Sequence, residues 1–528
     1  MRRVRISALG RLKSDQRGAA LVLFTVFLVP LLAVVAVGID LSRFLLVKQR
    51  LINAADAAAL AVGTRPNLTA DEATAMAGAF IRAHYRDEGL SHLQSFSVTP
   101  SASQVDVTVH ARLETTFLKV LNVSTLDVRV STQVARAQRK LEVVLALDNT
   151  GSMCQPSCAA KFDKLKVAAN ELVDILFGAD VVSDNVRVGL VPFSGAANIG
   201  TDKIGIGWLD EAGLSPLNIE DINLPVGETL LGLVGRILNV GWGGCVRART
   251  GPNGYDLTDE PPNLAIGETL FVPYFAPDEP GSGDGPSGGY TNDYVNDTLI
   301  LGNNIAKQRN ALKYIGALIS NANLARNPPQ GPNFNCVPRP IQPLTNDKRI
   351  IAAAIDAMAA SGSTVIPEGL AWGWRALSPT PPYTEGAPYG DPNVSKVLIL
   401  LTDGRNQVEA ANGHNHSFYS AYGYAASGHI GPTDGSQTRQ ALDAKTTTLC
   451  NNIKADKDGN PNTQDIFLYT ISFAMAGEAD AQNLLRDCAT PPSSCPGNQC
   501  YYDVPAPEQL SGAFAHIAMG INQLRLTR

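Results

Sequence analysis

From Ala19 to Ile39 every residue is apolar or small except Thr25, and no charge interrupts the run until Asp40. Roughly 20 such residues, at 1.5 Å of helical rise each, match the ~30 Å hydrocarbon core of a bilayer. Pro30 sits mid-span and is expected to kink the helix, which membranes tolerate. Arg2, Arg3, Arg5, Arg11, Lys13 and Arg17 crowd the residues before it against a single Asp15, which predicts a cytoplasmic N-terminus. Everything after Ile39 then lies across the membrane. A cleaved signal peptide is the rival reading, but its apolar core is normally shorter, and Ala36-Val37-Gly38 is only a passable cleavage site. Helical spacing also continues beyond the span through Leu41, Phe44, Leu45, Lys48, Leu51, Ile52, Ala55, Ala58, Ala59 and Val62, with no Gly or Pro until Gly63. The sequence therefore predicts a membrane anchor that grows into a stem helix.

A chain of 528 residues is expected to form two or three units. Only 17% of it is charged, below the usual quarter, which points to membrane contact or large buried strands. The formal net charge of −6 gives no reason to expect nucleic acid as a partner. All eight cysteines lie outside the apolar run, several in close pairs within Pro-containing loops, which favours disulfides in an oxidising compartment. Zinc is the alternative, yet no Cys or His pair at finger-like spacing follows Cys154 and Cys158.

A second helical stretch is expected from Thr69 to Arg86. Beyond it, Phe96-Ser-Val98, Val105 to His110 and Leu126 to Val134 alternate apolar with polar residues, the period-two mark of half-exposed antiparallel strands. A long N-terminal helix followed by a small sheet is a pilin-like arrangement. With Arg17-Gly18-Ala19-Ala20, Gly38-Ile39-Asp40 and the stem run Asn53-Ala54-Ala55-Asp56-Ala57-Ala58-Ala59-Leu60-Ala61, it resembles the TadE/TadG group of tight-adherence (Flp) pilus-assembly proteins. Processed relatives carry a Glu five residues beyond the leader Gly. Leu23 stands there in this chain, so the resemblance does not extend to cleavage after Gly18.

Further along, Leu141–Leu147, Val186–Phe193, Val394–Leu401 and Ile466–Ile471 are nearly continuous apolar runs. Helical patterns separate them, at Phe162–Leu176, Arg349–Ala359 and Ser436–Ile453. Buried strands alternating with helices imply a mainly parallel, doubly wound α/β sheet whose ligands bind at the carboxyl ends of its strands. Just beyond those ends stand Asp148-Asn-Thr150-Gly151-Ser152 and Thr402-Asp403-Gly404, and before a helix stands Gly362-Ser363-Thr364. Two carboxylates and three hydroxyls are hard oxygen donors, suited to Mg²⁺ or Mn²⁺. Singly, each motif also reads as an ordinary helix cap or turn.

Together and in this order the motifs resemble the metal-ion-dependent adhesion site of the von Willebrand factor A fold. Asp148, Thr150 and Ser152 match the Asp-x-Ser-x-Ser loop, with Thr150 in place of the first Ser, and Thr364 and Asp403 match the other two loops. The resemblance implies that the hydroxyls of Thr150, Ser152 and Thr364 touch the ion while Asp148 and Asp403 act largely through water. It also implies that the open position attracts a carboxylate from a protein partner, other pilus-assembly components among the candidates.

Between Ser194 and Thr345 runs a long stretch rich in Gly, Pro, Asn and Asp, expected to be a subdomain or partly disordered. The flanks of Cys245 and Cys336, and the ending Leu524 to Arg528, look TadG-like. Cys245 is expected to pair with Cys336 and Cys450 with Cys488, which leaves Cys154–Cys158 and Cys495–Cys500 as local pairs by elimination. The expected organisation is a basic cytoplasmic segment (1–17), a transmembrane and stem helix (18–62), a small α+β pilin-like region (63–139) and a von Willebrand factor A-like domain (140–528) with its insertion at about 195–345.

Three other signals read as structure. Asp456-Lys-Asp458-Gly-Asn460 has neither a Gly nor a closing Glu at EF-hand spacing and is expected to be a surface turn. His414, His416 and His429 are expected in a solvated loop, and Trp372 and Trp374 in the core. The chain has no Gly-x-x-x-x-Gly-Lys-Ser/Thr, His-Glu-x-x-His or Gly-x-Ser-x-Gly motif, so an enzyme is not expected, although a hydrolase triad built from distant residues has no sequence signature. The functional expectation is a membrane-anchored, metal-dependent binding component of pilus assembly or adhesion. The alternative is a pilin-like scaffold with a vestigial site.

Overall fold

The computed structural model describes residues 17–63, 68–85, 89, 91–101, 104–135, 139–281, 290–408, 413–460 and 464–524. The basic cluster before Arg17 and the ending after Leu524 lie outside the described residues. The chain divides into two compact units, Met1–Gln138 and Arg139–Arg525.

In the first unit, helix α1 (Arg17–Gly63) runs unbroken through Pro30. Its first part is long and apolar enough to cross a membrane, and Leu23, Phe24, Phe27 and Val34 are exposed along it. Its second part is different. Val47, Leu51, Ala54, Ala55, Ala58, Ala59 and Val62 fall on one face at helical spacing and are buried. Helix α2 (Ala70–His84) starts at a capping box, in which Thr69 accepts from the Glu72 N–H and Glu72 accepts from the Thr69 N–H. It adds Ala73, Ala77 and Ile81 to the same cluster. The alanines let backbones approach closely, and the remaining wall is an antiparallel sheet of β1 (Ser91–Pro100), β2 (Gln104–Glu114) and β3 (Thr125–Ala135) in the order β1-β2-β3. Val105, Val107, Val109, Ala111 and Leu113 of β2 all point inward, as the alternation requires.

The second unit holds a six-stranded sheet in the order β6-β5-β4-β7-β8-β9. Its strands are β4 (Lys140–Asp148), β5 (Val186–Phe193), β6 (Gln342–Thr345), β7 (Val394–Thr402), β8 (Ile466–Phe473) and β9 (Tyr501–Val504). All pairings are parallel except that of the edge strand β6 with β5. Helices α3 (Phe162–Phe177), α4 (Lys348–Ala357) and α8 (Leu510–Leu524) cover one face, packing on Val143, Leu145 and Leu147. Helices α5 (Ile366–Leu377), α6 (Thr438–Lys454) and α7 (Ala479–Cys488) belong to the core of the other face, with Val144 and Ala146. Burial on both faces explains why these strands read as continuous apolar runs. Short β6 and β9 are too brief to show a period.

The stretch from Ser194 to Thr345 departs from expectation. It is not a separate subdomain, because Trp208, Phe271, Phe275 and Tyr314 join the core cluster that contains Phe193, Leu370 and Trp372. With little regular structure, it satisfies its carbonyls through buried arginines. Arg249 donates to Glu260 O and Thr269 O at 2.8 and 3.0 Å, and Arg375 to Tyr255 O and Asp256 O at 3.1 and 3.2 Å. The sulfurs pair as Cys154–Cys158, Cys245–Cys336, Cys450–Cys488 and Cys495–Cys500.

The histidine-bearing loop also departs from expectation. Tyr419, Tyr422 and Tyr424 are buried there, so the loop is packed, and of the three histidines only His416 is exposed as expected. His414 bonds the Tyr290 hydroxyl at 2.8 Å and His429 bonds Glu220, so the two are committed to different partners. Trp372 and Trp374 are buried.

Candidate functional site

Strand order reverses about β4. The chain goes from β4 to β5 on one side and later places β7 on the other, a topological switch point of the kind where ligands bind in open α/β sheets. The parallel register sets Leu147 opposite Leu401, so the next residues, Asp148 and Thr402, end their strands side by side. Thr402 Oγ1 donates to Asp148 Oδ2 at 2.6 Å, and the Thr150 N–H donates to Oδ1 at 2.8 Å. Asp148, fully buried, therefore fixes the loop that follows it.

That loop turns Ser152 toward Asp403. Thr150 Oγ1 and Ser152 Oγ share a hydrogen bond of 2.9 Å, and Ser152 Oγ donates to Asp403 Oδ1 at 2.6 Å. The loop carrying Thr364 is tied to both neighbours, by Gly151 N–H to Gly362 O at 3.0 Å and Gln407 N–H to Thr364 O at 2.8 Å. Gly362 has φ of +86°, which a residue with a side chain rarely adopts. A methyl group on Gly404 would lie 3.8 Å from Thr364 Oγ1 and 4.0 Å from Ser152 Oγ, so the two hydroxyls face the same short stretch of backbone. The structure thus brings Asp148, Thr150, Ser152, Thr364 and Asp403 together where three loops meet.

Sequence reasoning missed three residues here. Thr402 bonds Asp148, and Asn406 holds the third loop by accepting from the Ile366 N–H at 2.8 Å. Lys161 is the third: its Nζ donates to Ser152 O at 3.2 Å and makes an ion pair with Asp403 Oδ2. Thr402 was visible as a hydroxyl at a strand end. The placement of Lys161 depends on the Cys154–Cys158 loop that separates it from Ser152, which no local pattern reveals.

The electrostatics fit a cation. Burial, and then the nearby Asp403 charge, push the Asp148 carboxyl up to about 7, against the hydrogen bonds from Thr150 and Thr402. Two carboxylates this close call for positive charge, and the Lys161 ammonium supplies it at Asp403. The five oxygen-bearing side chains are hard donors, so Mg²⁺ or Mn²⁺ suits them chemically.

A second group of carboxylates lies elsewhere. Asp456, Asp458 and Asp465 bring oxygens within 4.8 Å of one another. Asp456 and Asp458 are exposed, and Asp456 Oδ1 accepts from the N–H groups of Asp458, Gly459 and Asn460, as a surface turn requires.

Residues 18–65 match the Tad family of Flp pilus-assembly, TadE/G-like proteins. The N-terminal segment is TadE/G-like. The match covers the apolar stretch and the Ala-rich second part of α1, including the Gly38-Ile39-Asp40 and Asn53–Ala61 stretches. No curated protein matches the chain in sequence. Solved structures similar to it include the pilus adhesin SpaC of Lactobacillus rhamnosus GG, at 11% identity and a TM-score of 0.32 over 83% of this chain. The chain spans 35% of the length of SpaC. The PilB minor pilin of Streptococcus sanguinis is similar at 13% identity and a TM-score of 0.32, over 82% of this chain and 78% of its own. The von Willebrand factor domain of the pili tip protein Mfa5 of Porphyromonas gingivalis is similar at 11% identity and 0.31, over 74% and 97%. These are loose likenesses. The TadE/G-like match stops at residue 65, so the site's chemistry rests on its own geometry.

Proposed function

We propose that this chain is a membrane-anchored component of tight-adherence (Flp) pilus assembly or adhesion, whose von Willebrand factor A-like unit binds a protein partner through a divalent ion. The observation that carries the reading is the convergence of Asp148, Thr150, Ser152, Thr364 and Asp403 at the switch point of the parallel sheet. Thr150, Ser152 and Thr364 would hold Mg²⁺ or Mn²⁺, with Asp148 and Asp403 behind them. The bound ion would supply an electrophilic position for a partner's carboxylate. The residues themselves orient that position: Asp148 fixes its loop through Thr402, and Ser152 is aimed by Asp403. Thr150 and Ser152 bond each other and a carboxylate rather than a histidine base, which favours binding over hydrolysis.

The TadE/G-like match supports anchoring through α1, with the main unit outside the cytoplasm and the bacterial inner membrane as the site of the span. Four disulfides agree with that side. A pilin-like scaffold working without metal is the second reading, and the ion pair of Lys161 with Asp403 is the observation in its favour.

A melting curve of the full chain in EDTA and in Mg²⁺ or Mn²⁺ separates the two. Ion binding to the folded state alone adds ~2.7 kcal/mol at a hundred times Kd, and Asp148→Ala should remove most of that gain. Equal wild-type melting temperatures in both conditions, with no calorimetric signal for either ion, would favour the scaffold.

A further inference from the structure

The apolar stretch of α1 ends at Ile39, and the first charge after it does an unusual job. The Asp40 carboxylate is fully buried and accepts from three successive backbone N–H groups, Thr116 at 3.0 Å and Phe117 and Leu118 at 2.8 Å each. Arg43 pairs with Asp40 at 3.3 Å and also bonds the Thr116 hydroxyl. This clamp fixes the turn between β2 and β3 against α1 at the level where the apolar stretch stops.

Past the clamp, the turn runs back along α1 toward its apolar end. A groove of about 500 Å³ lies between Leu32, Val35 and Ile39 of the helix and Phe117, Leu118 and Val120 of the turn. From Asp40 to Leu32 is about 12 Å at 1.5 Å per residue, so the turn flanks the last two turns of the apolar stretch. Phe117 is 42% exposed, Val120 87% and Val123 39%, an apolar tip that the described residues of this unit leave uncovered. The one charged side chain of the tip avoids it, for Lys119 Nζ reaches back to pair with Glu114 at 3.5 Å and leaves only its methylene stem below.

The backbone of the tip is suited to a medium without water. The N–H groups of Thr116, Phe117 and Leu118 are taken by Asp40. Those of Val120, Asn122 and Val123 go to Phe117 O, Lys119 O and Leu118 O. Hydrocarbon tolerates only backbone that is satisfied internally.

We propose that the Phe117–Val120 turn is a second membrane contact, inserted among the lipid acyl chains beside the end of the α1 span. The proposal rests on the reading of α1 as a membrane span, because lipid around Leu32 and Val35 is the same lipid that meets Val120. Aromatic Phe117 then sits near the interface with Arg43, and the sheet of this unit is held at a fixed height by two attachments rather than by one helix.

The test uses the full chain in vesicles of phosphatidylcholine and phosphatidylglycerol. The native cysteines are all in disulfides, so without reductant a fluorophore labels only an introduced thiol. Three variants carry the label: Val120→Cys in the tip, Leu31→Cys on the span, and Gln133→Cys, an exposed residue at the far end of β3. Nitroxides placed on the acyl chains should quench Val120→Cys to an extent comparable with Leu31→Cys and leave Gln133→Cys near background. Quenching of Leu31→Cys with Val120→Cys at background would overturn the proposal while keeping the span. An unquenched Leu31→Cys would remove the span itself. Val120→Cys dimers that form through the new thiol and block quenching would give the groove to a second copy of the chain, which also overturns it.

Discussion

The two sheets of this protein obey opposite rules about where a polar residue can stand. In β2, Arg112 faces solvent and bonds Asp127 while its neighbour Leu113 is buried, because one face of that sheet meets water. In β4, Val144 and Leu145 are both fully buried, one in each core cluster. A sheet of the first kind spreads polar groups along its length. A sheet of the second kind admits a buried charge inside a strand only when it is partnered, as Lys396 is with Glu142 at 2.6 Å, and gathers other polar groups at the strand ends where Asp148, Thr402 and Asp403 collect. The candidate site is a consequence of two-sided burial as much as of its motifs.

The largest expected effect tests that contrast directly. Leu145→Ala should cost ~2–5 kcal/mol, and Val144→Ala should also be costly, since both neighbours leave a cavity. In the small sheet, Leu113→Ala should cost as much as Leu145→Ala. Arg112→Ala should stay within ~1 kcal/mol, as exposed ion pairs do. Denaturant titrations of the four variants check this. A cheap Val144→Ala or an expensive Arg112→Ala would break the comparison.

A smaller effect sharpens the account of the strand ends. Lys161→Met leaves Asp148 and Asp403 without their nearby cation, so in EDTA the variant should melt lower than wild type by the equivalent of ~1–3 kcal/mol, discounted for the partial exposure of Lys161. Added Mg²⁺ should recover more in the variant than in wild type, because lysine no longer competes for Asp403. Unchanged melting in EDTA would mean that the lysine contributes nothing to the site.

The last effect concerns pH. Burial pushes the Glu368 carboxyl from 4.5 up to about 7, against the Arg375 charge and the Ala197 N–H, with Asp256 adding to the rise. The folded state thus holds a proton that the unfolded state gives up. This contribution to stability is full below pH 4.5 and is lost as pH rises through about 7. Glu368→Gln should flatten the dependence of melting temperature on pH across that window. An undiminished slope would assign it to other groups.

Much of this fold was legible because period follows burial. Val105 to His110 alternates and Leu141 to Leu147 does not, and that contrast in pattern alone distinguishes the two sheets. Thr69 caps its helix as a Thr-x-x-Glu box should. The motif residues of the three loops could be named because each follows or precedes a readable element. Lys161 could not, since its role arises from a contact across the chain with Asp403. The tyrosine loop misleads for a related reason: Gly and Ser suggest solvent, but the rings of Tyr419, Tyr422 and Tyr424 have a core to enter only once the stretch after Ser194 is in place. Asp465 likewise nears Asp456 only when the start of β8 is positioned.

The excursion that leaves the sheet after Phe193 returns to pair, through Gln342 and Thr345, with the very strand it left. For an engineer, its two ends are already a hairpin, and a short linker from Ser194 to Ile341 would preserve the ladder of the sheet. What such a deletion would remove is a roof. Trp372 packs at 4.8 Å between ring centroids on Phe271 of the excursion, and it would be left facing water together with Phe193. A minimal version of this unit therefore needs new polar residues on α5, whereas the strands beneath could be kept as they are.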